Sequence, residues 1–196
     1  MMTDDEIMAA QSDIEATADL LARAMKLSGL VSTLFQERGF PLVVVGGSAV
    51  EFYTEGGYMS GDIDFCRKTL KAVPPRLMQE IAERLGGTGL GRNWLVCGLY
   101  VDLLGLLESE TTLAERIVKT PYGDVRILPP ELALVERILF AEQDVECIPS
   151  AKQMMAAALR DATFDWDEAE RLANLPDFRV CDALRKLREE LSDALA

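Results

Sequence analysis

The chain has 196 residues, which suits one globular body or a core with a helical appendage, and 49% of them are hydrophobic, too many for a disordered chain. Acidic residues outnumber basic ones 33 to 20, a net charge of −13 that makes extensive nucleic-acid binding unfavourable while leaving room for a nucleotide held through metal ions. Histidine is absent, which excludes Ser-His-Asp and Cys-His catalysis and any His-ligated zinc site.

In chain order, Ile7, Ile14, Ala18, Leu21, Ala22 and Met25 recur at helical spacing and predict a helix from Asp4 to about Leu27. Ser28-Gly29 is the expected break, after which Leu30, Val31, Leu34 and Phe35 resume the pattern as far as Gly39. The acidic start, Met1 to Glu6, has no basic segment followed by an apolar one, so no signal peptide is expected. Leu42-Val43-Val44-Val45 is apolar and mostly β-branched, the profile of a buried strand. Gly46-Gly47 ends it, and Ser48 to Tyr53 reads as helix. Ile63 and Phe65 alternate with Asp62, Asp64 and Cys66 in a second strand.

Pro74-Pro75 fits a helix start, with Leu77, Ile81 and Leu85 carrying the helix to Gly86-Gly87. Trp94 to Leu104 is strand-like, with a turn or bulge at Gly98. Arg116–Lys119 and Asp124–Ile127 flank Pro121-Tyr122-Gly123, a hairpin signal. Helices are then expected over Leu132–Phe140, Ala151–Leu159, Trp166–Leu172 and Asp182–Leu195. The layout is α/β (α+β): a helical segment at 1–39, a mixed-sheet core at 40–128 and a helical part at 129–196. No apolar run reaches the roughly 18 residues that span a bilayer. The four cysteines form no CxxC pair and are expected to be reduced, and the chain is expected to be cytoplasmic.

The chemistry concentrates in two segments. A buried strand running into Gly46-Gly47-Ser48 and a helix start brings backbone amides to where a phosphate is favoured. Asp62 and Asp64, two residues apart on a strand, point to one face, and their mutual repulsion would be relieved by a cation. Hard oxygen ligands of this kind suit magnesium. Asp102 is a lone charge in the apolar run Leu99–Leu104 and, if buried, needs a partner that a shared metal would supply. Trp94 reads as core, and Glu136 and Arg137 read as the solvated side of their helix.

Gly-Gly-Ser, then Asp-x-Asp with Ser60 just before it, then a later strand Asp resembles the nucleotidyltransferase superfamily of the DNA polymerase β-like fold. The likeness is strongest to small prokaryotic members, including those of toxin–antitoxin and abortive-infection pairs, and it spans about residues 40–142. The resemblance implies a nucleotidyltransferase-fold mixed sheet with flanking helices. It puts Gly46, Gly47, Ser48 and Ser60 at nucleotide-binding positions and Asp62, Asp64 and Asp102 at catalytic, metal-binding ones. It further implies Mg2+, an NTP and magnesium-dependent transfer of a nucleoside monophosphate to an unidentified hydroxyl acceptor. Relatives often carry a basic residue between the turn and the carboxylate pair, but Glu51–Met59 here contains no Lys or Arg. Phosphate affinity is then expected to be reduced unless Arg67, Lys68 or Arg92 reaches the site. That departure keeps an alternative open: a catalytically weak toxin–antitoxin member acting by binding a protein partner.

Overall fold

The computed structural model describes residues 1–108 and 111–195. It is a mixed α/β structure with eight α-helices and one seven-stranded sheet among the described residues. The chain divides into two compact units, one of residues 1–48, 60–108 and 115–127, the other of residues 49–59, 111–114 and 128–195.

The first unit opens with α1 (Asp4–Ala16) and α2 (Leu20–Gln36). The expected single helix is thus broken at Thr17–Asp19, ahead of the Ser28-Gly29 site that the sequence favoured. Asp19 explains the shift: its carboxylate accepts from the Ala22 amide at 2.7 Å and caps a fresh helix. Gly29 is tolerated inside α2 because that helix lies tight on a hairpin. A Cβ there would come within 1.9 Å of Thr120 Oγ1 and 3.2 Å of the Gly123 carbonyl.

The sheet contains β1 (Leu42–Val44), β2 (Asp62–Arg67), β3 (Thr88–Leu90), β4 (Asn93–Val96), β5 (Leu99–Leu106), β6 (Arg116–Thr120) and β7 (Gly123–Ile127), ordered β3-β4-β5-β2-β1-β7-β6. β2 runs parallel to β5 and antiparallel to β1, so the sheet is mixed. Helix α4 (Pro75–Arg84) starts at its prolines, as the sequence indicates. Alternation along β2 and β5 turns Ile63, Phe65, Val101 and Leu103 into the core. Trp94 is buried there too, stacked on Phe35 at 6.3 Å and donating from Nε1 to the Gly91 carbonyl.

Helix α3 (Gly46–Tyr53) starts at the two glycines, two residues earlier than the sequence suggests, and its body belongs to the second unit. That unit also holds α5 (Pro130–Gln143), α6 (Ile148–Arg160), α7 (Trp166–Ala173) and α8 (Cys181–Leu195). Leu134, Val135, Met155 and Leu172 fill its core, and the buried Glu131 carboxylate accepts from the Asp165 amide at the start of α7. Tyr53 donates to the Leu128 carbonyl at 2.6 Å. No helix among the described residues is long and apolar enough to cross a membrane. Cys66, Cys97, Cys147 and Cys181 are not joined in disulfides.

Candidate functional site: a carboxylate face on the sheet

The β2–β5 register sets Asp64 directly beside Asp102, and Asp62 beside Tyr100. Neighbours in a parallel pair share a face, and i, i+2 residues on one strand do too. Asp62, Asp64, Tyr100 and Asp102 therefore stand together on one face of the sheet, while Ile63, Phe65, Val101 and Leu103 line the other. On β4, Asn93 lies opposite Asp102 and Leu95 opposite Tyr100, extending the same face.

The Gly-Gly-Ser turn meets this face closely. Gly46 has φ +61°, and a Cβ on it would lie 2.7 Å from Asp64 Oδ2. Both the backbone conformation and the contact therefore require glycine. The Val45 amide donates to the Asp64 carbonyl at 3.0 Å, extending the strand pairing to the brink of α3.

The buried Ser48 hydroxyl donates to the Asp62 carbonyl at 3.0 Å and accepts from the Asp64 amide at 2.8 Å. It clips the first turn of α3 to the backbone on either side of Ile63. What this turn offers a ligand is its backbone amides, which the first turn of a helix leaves without intrahelical partners. Ser60 donates to Asp62 Oδ1 at 2.7 Å and holds that carboxylate in place.

Asp102 is mostly enclosed, its side chain 19% exposed. Its Oδ1 is buried with no hydrogen bond, and the cation nearest it is Arg92, whose Nε lies 3.6 Å away. That separation is an ion pair beyond hydrogen-bond reach. Of the three basic residues that the sequence offers, Arg92 pairs with Asp102 on this face. Lys68 is engaged with Glu115 at 2.5 Å, and Arg67 Nε is buried without a hydrogen bond at the far end of β2.

The donor set suits a hard divalent ion in kind: carboxylate oxygens only, with one orphaned oxygen on Asp102. Among the described residues, no three Asp, Glu or Cys side chains converge as a ready ligand cluster, and Asp102 is paired with Arg92 instead. The sequence did not single out Tyr100 and Asn93 as part of the face. Period-two alternation with Asp102 could have found Tyr100, whereas Asn93 depends on strand register. Glu136, expected on a solvated helix side, is instead half-buried on α5, and burial pushes its carboxyl up to about 7. Its neighbour Arg137 lies over the Phe140 ring at 4.9 Å.

No family model and no curated protein sequence matches the chain. Solved structures do. An antigenic nucleotidyltransferase-like protein from Paracoccidioides brasiliensis aligns with a TM-score of 0.54 at 16% identity, covering 86% of this chain and 94% of its own. ANT(2")-Ia in complex with adenylyl-2"-tobramycin aligns with a TM-score of 0.50 at 16% identity, covering 80% of this chain and 97% of its own. The mixed α/β architecture is thus similar to nucleotidyltransferase folds.

Proposed function

We propose that a chain with this fold and this carboxylate face transfers a nucleoside monophosphate from an NTP to a hydroxyl acceptor, with Mg2+ as cofactor. The observation that carries the reading is the register of β2 on β5. It sets Asp62, Asp64 and Asp102 on one face, with the start of α3 pressed against Asp64. The solved neighbours are consistent with it: one is named nucleotidyltransferase-like, and the other was solved with adenylyl-2"-tobramycin.

Asp62, Asp64 and Asp102 would hold magnesium, which when bound lowers the pKa of the attacking hydroxyl and neutralises charge on the leaving pyrophosphate. The rest of the work belongs to the chain. Backbone amides of Gly47 and Ser48 at the first turn of α3 receive phosphate oxygens and are helped by the helix dipole. Ser60 holds the Asp62 carboxylate and Ser48 fixes the backbone of Asp62 and Asp64, so little reorganisation accompanies the reaction. Asp102 orients the acceptor hydroxyl and draws off its proton. The acceptor oxygen bonds to the α-phosphorus as the bond from that phosphorus to the bridging oxygen breaks, and pyrophosphate leaves.

Calorimetric titration with each NTP, with and without magnesium, tests the reading on wild type and on Asp62→Ala, Asp64→Ala. Magnesium-dependent binding that the double variant loses is expected, together with a ligand-induced rise in apparent stability, about 2.7 kcal/mol at a hundredfold excess over Kd. A wild type that binds none of the four NTPs overturns it and returns the reading to protein binding.

A further inference from the structure

Arg92 lies in the turn between β3 and β4, and its main chain is fixed: its carbonyl accepts from the Leu103 amide at 3.0 Å. Its side chain is not enclosed. It is 60% exposed, held by one hydrogen bond from Nη1 to the Leu104 carbonyl at 3.0 Å and by the 3.6 Å ion pair to Asp102. Asp102 is the opposite case, a mostly enclosed carboxylate with one oxygen that has no hydrogen-bond donor. Leaving such an oxygen without a donor is unfavourable. A cation at a distance offsets part of that and leaves the oxygen available.

The charges on this face explain why a cation belongs there. Asp64 and Asp102 stand side by side, with Asp62 on the same face two residues along, so like charges repel one another there. One guanidinium relieves part of the repulsion. A divalent ion shared by the carboxylates would relieve more, and it would repel the guanidinium at short range. Displaced from Asp102, the planar guanidinium fork matches phosphate geometry. The segment between the Gly-Gly-Ser turn and Asp62 supplies no other cation.

We propose that Arg92 is a resident counter-cation of Asp102: it neutralises the third carboxylate before ligand arrives, gives it up to a divalent ion, and moves to the phosphates of the incoming nucleotide. This rests on the nucleotide reading above for its second half and on the Arg92–Asp102 pair alone for its first. Free metal then binds weakly, because it competes with Arg92. Metal and nucleotide bind together well, because the displaced guanidinium acquires a new partner.

Two titrations on the full chain decide it. Mn2+ alone, followed by electron paramagnetic resonance, is measured on wild type, Arg92→Ala, Arg92→Lys, Asp102→Asn and the double variant Arg92→Ala, Asp102→Asn. Magnesium ATP and magnesium GTP are then titrated without acceptor. Arg92→Ala is expected to bind Mn2+ about tenfold more tightly yet the magnesium nucleotides about tenfold more weakly, with Arg92→Lys between. In the Asp102→Asn background, removing Arg92 is expected to leave Mn2+ affinity unchanged, a coupling that a merely structural role would not produce. Mn2+ affinity that stays level or falls in Arg92→Ala overturns the proposal. A gain in Mn2+ affinity with no loss of nucleotide overturns the phosphate half. If no variant, wild type included, binds a nucleotide, the transfer function fails while the Mn2+ series still decides the ion pair.

Discussion

Gly46 sits where two constraints coincide, a left-handed backbone and the Asp64 carboxylate 2.7 Å from where a Cβ would be. Gly46→Ala must adopt φ +61° with a side chain, at a cost of about 1–2 kcal/mol, and must push the carboxylate aside. The expected outcome is a loss of that size in urea denaturation, with magnesium-nucleotide affinity falling at least tenfold. Unchanged affinity would show that Asp64 has no part in binding. Residues of this kind were partly legible. A spacing of two put Asp62 and Asp64 together, because strand alternation is local. The roles of Ser48 and Arg92 were not, since each depends on a partner 14 or 10 residues away that only the fold brings near.

At the scale of elements, local signals carried well where hydrophobic patterning and turn chemistry agreed. The β6–β7 hairpin, the proline-led starts of α4 and α5, the buried run of β1 and the alternation of β2 all lay where the sequence put them. Two elements were not legible. Strand β3 is three residues long and exposed throughout, defined by pairing with β4 alone, so it has no inward face to produce a pattern. The break between α1 and α2 follows a cap at Asp19, which outweighed the glycine at 29 because that glycine serves packing.

Helix α5 carries a consequence for pH. Burial raises the Glu136 carboxyl from about 4.5 to about 7, so between those values the native state holds a proton that the unfolded chain has released. Stability conferred by the protonated form is therefore full below about pH 4.5 and is lost as pH rises through about 7. Glu136→Gln removes the titration. Its stability is expected to decline less across that window and to exceed wild type at pH 8 by roughly 1–3 kcal/mol. Parallel pH–stability curves for the two proteins would contradict this.

At the scale of the molecule, each unit has its own apolar core, and the chain passes between them more than once. Residues 49–59 leave the sheet-bearing unit for the other and return at Ser60. A polypeptide ended at Ile127 would keep every strand of the sheet yet lack α5 to α8. Ala49, Val50 and Phe52 are buried in the whole protein and are grouped with those helices. Such a truncated protein is expected in the insoluble fraction on expression, and a soluble, cooperatively melting product would refute that.

The same threading sets an order of events in time. Translation proceeds at about 5–20 residues per second, so the segment after Ser48 leaves the ribosome on the order of ten seconds before α8 is made. During that interval Tyr53 is waiting for Leu128, and the apolar side chains beside it are waiting for the rest of the unit they belong to. The link that joins the Gly-Gly-Ser turn to the carboxylate strand is therefore synthesised early and finished late, which leaves it a stretch of the nascent chain that a chaperone would serve.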